Sequence, residues 1–196
     1  SVLLIKNGNY LLFFYKILNF FLSYLKIINS FIRNRSIRLF IVEKMIPIEK
    51  IKTCFGSIYF YCSSIRTVSR GRILLSKEPM TIKWIKAFDK KSTFYDIGAN
   101  IGTFSLFSAK RNINVLSFEP LYSNYSILMK NIEINNLSRY ISAFCCGFNS
   151  NLSLEHFYVR QSESGCSGNS FGEPKDERGN TYKEIYKQIM MSFTID

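Results

Sequence analysis

The sequence predicts an α/β fold: one βαβαβ half of an open parallel sheet, behind an N-terminal helical extension and a short β-rich segment. Three observations predict it. From Thr93 onward, strand-like apolar runs alternate with helical ones. Phe94–Ser105 reads FYDIGANIGTFS, an apolar run that ends in an aspartate, turns on two glycines four residues apart and becomes helix-like. Leu116–Pro120 reads LSFEP, a second apolar run ending in an acid. Strands alternating with helices form a parallel sheet with right-handed crossovers.

The elements follow in order. Residues 1–50 read as a basic amphipathic helical extension. Within Leu11–Arg33 polar residues recur at Lys16, Asn19, Ser23, Lys26, Ser30 and Arg33, with Asn29 at the edge of the same row. Spacings of three and four make one narrow stripe on a helix whose remaining surface is apolar. Such a helix packs on the domain, lies in a membrane interface or spans a bilayer. A lysine near the bilayer centre, as Lys16 would be, costs about 2.5–3.5 kcal/mol on an insertion scale and weighs against the span. Packing on the domain ranks first and peripheral membrane contact, through residues 11–38, second; RNRSIR (33–38) reads as a solvated turn before it reads as a headgroup contact. Residues 51–90 read as a β-hairpin plus a helix. GSIYFYC and RGRILL are the strand-like pieces, with a turn at Ser69–Gly71. KEPMTIKWIKAF is the helix, opened by Pro79, with Ile82, Ile85 and Phe88 at helical spacing and Trp84 packing near that face. Residues 91–196 read as strand Phe94–Ile97, helix Thr103–Arg111, strand Val115–Phe118, helix Ser123–Asn135 and strand Tyr140–Cys145. A further strand is read at Leu152–Val159 and a loop over Ser162–Asn180. The terminal SFTID reads as a strand end. With Ser1 in place of Met, the chain is expected to be cut at both ends.

Composition narrows the function classes. The chain has 196 residues, 47% hydrophobic, which fits a globular domain. Its net charge is +12, from 26 Lys+Arg against 14 Asp+Glu. That invites nucleic acid or an anionic surface as a partner. The heavy use of Lys, Asn, Ile, Phe and Tyr reads instead as an AT-rich codon bias, and no nucleic-acid partner is expected. Five cysteines without a CxxC motif, beside the single His156, make neither a disulfide framework nor a metal site. A reducing, cytoplasmic setting follows.

The chemistry sits in the two acid-ended strands. Ligands of open α/β sheets bind beyond the carboxyl ends of the strands. Gly98 and Gly102 let a ligand lie against the backbone, and the helix after them offers free N–H groups. Glu119 ends the second strand, where a carboxylate can accept the hydroxyls of a ribose. The motif is D-I-G-A-N-I-G, not the GxGxxG of dinucleotide sites. Asp96 would repel a pyrophosphate and suits a cationic ligand. S-adenosylmethionine, with a sulfonium, an ammonium and a ribose diol, fits better than NAD.

SKEPMTIKWIKAF (76–88), FYDIGANIGTFSLFSAK (94–110), LSFEP (116–120) and ILMKNIEINN (127–136) together resemble the FkbM-type methyltransferases. The resemblance implies a Rossmann-like class I methyltransferase sheet and O-methylation of a hydroxyl on a sugar, glycan or other natural product. It implies Asp96, Gly98, Asn100, Gly102 and Glu119 as S-adenosylmethionine positions. It covers Ser76–Asn136 well and the rest loosely. Family members continue past a Thr-x-Asp such as Thr194–Asp196 into a strand reading roughly K-x-D-x-E-G. The chain is therefore expected to hold the cofactor half only, to bind the cofactor weakly or not at all, and to lack full activity. A general base helps a hydroxyl acceptor; His156 is conceivable for it but reads as an ordinary strand or loop histidine, so no catalytic residue is assigned. The alternatives are an NAD(P)-linked oxidoreductase and a non-catalytic membrane-associated binding module.

Overall fold

The computed structural model describes residues 2–194. It divides into two compact units, Ser1–Ile46 and Pro47–Asp196. The first unit is two helices. Helix α1 spans Val2–Arg33, and α2 spans Arg35–Met45. Asn34 separates them: its backbone is extended, and its side-chain oxygen accepts the N–H groups of Ser36 (3.0 Å) and Ile37 (3.2 Å). This is the N-cap arrangement that lets a new helix start after a break.

The second unit opens with a hairpin. Strands β1 (Ile48–Thr53) and β2 (Gly56–Tyr61) pair antiparallel, Ile48 opposite Tyr61 and Thr53 opposite Gly56. Gly56 takes φ +101° at the turn, and Thr53 closes it with a hydrogen bond from its hydroxyl to the Gly56 carbonyl (2.7 Å).

Three short helices follow: α3 (Ile65–Arg72), α4 (Leu74–Lys77) and α5 (Pro79–Lys86). RGRILL is therefore helical, and Ser69–Gly71 is not a turn between strands. The Ser64–Thr67 pair decides this, because each side chain caps the other's backbone N–H, the reciprocal device that starts a helix. On α5 Ile82 and Ile85 are buried, while Trp84 is 59% exposed and rests edge-on against Phe88 and Phe94.

The parallel sheet is β3 (Thr93–Ile97), β4 (Asn114–Phe118) and β5 (Ile141–Phe144), in that spatial order. Helix α6 (Thr103–Ala109) joins the first pair and α7 (Tyr122–Ile134) the second. The βαβαβ expectation is met, with boundaries shifted by a residue or two. Because the strand order does not reverse, right-handed crossovers place both helices on one face. Phe94, Val115 and Ile141 are buried on that face. The opposite face carries a row of stacked rings, Tyr95, Phe118 and Phe144, with Tyr95 and Phe144 exposed.

After β5 the chain enters a second, mixed sheet that the sequence reading did not anticipate as a sheet. Its strands are β6 (Gly147–Phe148), β7 (Ser153–Val159), β8 (Ser170–Phe171) and β9 (Tyr186–Phe193), ordered β6-β9-β7-β8. Strand β7 matches the expected Leu152–Val159. The strand end read at SFTID is reached at Phe193; Ile195 and Asp196 lie outside the described residues.

Helix α7 also holds the hairpin. Asn135 accepts the Tyr59 N–H (2.9 Å) and donates to the Tyr59 carbonyl (2.6 Å). Asn131 accepts the Tyr61 N–H (2.7 Å) and donates to the Ile101 carbonyl (2.9 Å). Two side-chain amides thus take the place of a neighbouring strand along the outer edge of β2.

Candidate cofactor site

The site begins where β3 ends. The N–H groups of Gly98 (2.8 Å) and Ala99 (3.0 Å) both donate to the Phe118 carbonyl, so the turn is stitched to the end of β4. Gly98 (φ +79°), Asn100 (φ +54°) and Gly102 (φ +84°) are all left-handed. Glycine adopts this at no steric cost and asparagine at a small one. A Cβ built on Gly98 meets nothing within 4 Å. The space over its backbone is open, which is what close approach of a ligand requires.

Asp96 is buried beneath this turn. The Ser105 hydroxyl donates to its carboxylate, and Ser117 donates to Ser105 (2.8 Å). Burial pushes the Asp96 carboxyl above its ordinary value of 3.8, opposed by the Ser105 bonds and assisted by the negative charge of Glu78. Glu119 is also buried, and burial raises it above 4.5 against the pull of its N–H donors. Its Oε2 accepts the Asn100 N–H (2.7 Å). Its Oε1 accepts the Leu121 N–H (2.9 Å) and an Asn124 amide hydrogen (3.4 Å). A carboxylate has about four lone-pair positions, so one remains, on Oε2. The expectation that Glu119 accepts both hydroxyls of a ribose is corrected: it has room for one, and its other work is to hold the glycine turn.

Two cavities meet at Gly98 and Asn100. The first, about 140 Å³, also has Asp96, Glu78, Arg70 and Lys77 on its walls. The second, about 150 Å³, has Glu119, Asn124, Cys166 and Asn169. Each is smaller than the roughly 300–1,000 Å³ of an ordinary small-molecule pocket. The segment Glu163–Asn169 walls the second. The Cys166 carbonyl accepts from Asn100 (2.7 Å) and Asn124 (2.9 Å), and Asn124 accepts the Gly165 N–H (2.6 Å). The Gly165 carbonyl accepts from Arg70 (2.5 Å), and the Ser164 carbonyl from Ser64 (2.8 Å).

The five residues expected at the site, Asp96, Gly98, Asn100, Gly102 and Glu119, do converge on one turn. Gly102 plays a different part from Gly98: it faces the core, where a Cβ would come within 2.4 Å of Leu128. His156 is exposed on β7, away from both cavities. Sequence reasoning missed Arg70, Lys77 and Glu78 as walls of the site. The Ser64-x-x-Thr67 pattern could have placed the two cations on helices α3 and α4 facing the turn. It also missed Asn124 and the Cys166 carbonyl, and nothing in their residue types marks them. Among the described residues, no group of His, Cys, Asp and Glu could hold a metal ion.

Buried acids with raised pKa values weaken the fold at neutral pH. Their stabilising contribution is complete below the ordinary values and is lost as pH rises through the raised ones. Glu173 and Asp176 shift the opposite way but lie at the surface, and screening makes such groups count for little. The urea midpoint of the ligand-free protein should therefore rise as pH is lowered from neutrality toward the ordinary carboxyl range near about 4. The Asp96→Asn variant should show a shallower rise. Equal slopes in the two proteins would mean Asp96 is not charged at the expense of the fold.

No protein-family model matches the chain. It is similar to Methyltransferase sdnD of Sordaria araneosa, 32% identical over 98 residues, which is 47% of this chain and 35% of that protein. The chain spans about a third of the length of the curated relative it matches. A solved SAM-dependent methyltransferase from Agrobacterium tumefaciens overlaps with a TM-score of 0.40 at 12% identity, over 50% of this chain and 32% of that one. P. horikoshii TYW2, solved in complex with MeSAdo, overlaps with a TM-score of 0.34 at 17% identity, over 50% and 35%. The fold described above rests on the strand order itself rather than on these partial overlaps.

Proposed function

We propose that this chain is the cofactor-binding part of an S-adenosylmethionine-dependent methyltransferase of FkbM type, acting on a hydroxyl oxygen. The observation that carries the reading is the open glycine turn at Gly98 between two buried acids. Asp96 lies on the side of Glu78, Arg70 and Lys77, and Glu119 on the other. The first cavity offers carboxylates for an ammonium and a sulfonium, and cations for a carboxylate. That set matches the zwitterionic amino-acid end of S-adenosylmethionine. Glu119 lines the second cavity and takes one ribose hydroxyl on its remaining acceptor position. The same acids disfavour the pyrophosphate of NAD. Similarity to Methyltransferase sdnD supports the reading, and the hydroxyl acceptor rests on the FkbM resemblance.

The bound cofactor supplies a methyl group activated by the sulfonium for displacement by the acceptor oxygen. The chain's own residues fix its position, and orientation accounts for much of the rate in such a transfer. Asp96, held by Ser105, places negative charge beside the cationic end. Asn100, held in the left-handed region, fixes the turn between the two cavities.

Saturation-transfer NMR, which registers weak binding, tests this on the chain itself. S-adenosylmethionine and its demethylated product should both give transfer signals, and each should displace the other. NAD should give none. A signal from NAD that S-adenosylmethionine fails to displace would overturn the assignment.

A further inference from the structure

Every residue of α1 from Phe14 to Arg33 whose burial is described is exposed, and α2 has no buried residue. The exposed set includes Phe20, Phe21, Leu39, Phe40, Val42 and Met45. A helix surface this apolar needs a cover. Charge says which. Residues 1–46 hold seven lysines and arginines and one acid, Glu43, a net of +6. The remaining residues carry the other +6 of the chain's +12. A second copy of these helices, or the rest of the same chain, would bring like charge to like charge. An anionic surface with an apolar interior meets both requirements at once.

We propose that α1 and α2 lie in the interface of an anionic lipid bilayer, with their apolar surface among the acyl chains and the stripe from Lys16 to Arg33 toward the headgroups. Among the described residues, no helix is long and apolar enough to cross a membrane. An interfacial helix of this kind sinks about 5–10 Å into the headgroup boundary. Arg33, Arg35 and Arg38 flank the Asn34 break and are all exposed. They concentrate three cations where the two helices meet, at the level where lipid phosphates lie.

The test is co-sedimentation of the full chain with vesicles of pure phosphatidylcholine and of equimolar phosphatidylcholine and phosphatidylglycerol. Binding should be strong only to the second. Changing Arg33, Arg35 and Arg38 together to Gln should weaken it by roughly fivefold per cation, on the order of 100-fold in all. A second measurement uses the protein carrying Trp84→Phe and Phe20→Trp, whose one indole then reports on α1. Its emission should shift to the blue only when anionic vesicles are added. A blue shift without vesicles that grows with protein concentration would mean a second copy is the cover. One independent of concentration would mean the chain covers itself. Either result, or equal binding to both vesicles, or binding to neither, would overturn the proposal.

Discussion

Gly98→Ala is expected to weaken cofactor binding on the order of 100-fold and leave the Pro47–Asp196 unit folded, whereas Gly102→Ala is expected to cost much of the fold. Both glycines are left-handed, and a Cβ in that region costs about 1–2 kcal/mol. The difference is what the methyl group meets. At Gly98 it meets open space shared by the two cavities, so the added penalty falls on the ligand. A ligand held off the backbone loses one or two hydrogen bonds to charged groups, about 1.5–3 kcal/mol each, or on the order of 100-fold in affinity. At Gly102 the methyl falls 2.4 Å from a Leu128 side chain that is fully buried and has little room to yield. Overpacking adds roughly 1–3 kcal/mol to the strain. Against a total stability of about 5–15 kcal/mol that is a large fraction. Urea midpoints and ligand titrations on both variants separate the two cases. Similar midpoints would refute the assignment of one glycine to the ligand and the other to the core.

Glu119→Ala should do both kinds of damage. The Asn100 and Leu121 N–H groups would lose their acceptor in a buried place. An unsatisfied buried donor costs about 1–3 kcal/mol. Removing a buried carboxylate whose charge is itself costly offsets part of this, so a net loss of roughly 1–4 kcal/mol is expected. Affinity for S-adenosylmethionine should fall about 10- to 100-fold if Glu119 takes a ribose hydroxyl. The two readouts are independent. Lost stability with unchanged affinity would make Glu119 a purely structural brace for the turn. Unchanged stability would mean the hydrogen bonds around it count for nothing.

The parallel sheet was legible because its strands and helices are long enough to show their periods, and because Asp96, Gly98 and Glu119 mark the strand ends. The region around α3 was misread for a physical reason. RGRILL is short and apolar at one end, and such runs fit a strand as well as a helix; the decision lies upstream, in the Ser64–Thr67 caps. The second sheet was illegible because β6 and β8 are two residues each, too short to carry any pattern. The site was legible where it uses side chains of one local motif. It was not legible where it uses backbone: the Cys166 carbonyl, which joins Asn100 to Asn124, is a group every residue type has.

The two asparagines that line the hairpin, Asn131 on α7 and Asn135 at its C-cap, lie 70 and 76 positions after the tyrosines they hold. During synthesis, β2 therefore leaves the ribosome well before its edge can be closed. At about 5–20 residues per second, the wait is roughly 4–15 s. Throughout it, the outer hydrogen-bonding groups of Tyr59 and Tyr61 are an open template for another nascent chain. The hairpin is made early and secured late, so slowing translation between Tyr61 and Asn131 lengthens the interval in which newborn chains can pair with one another.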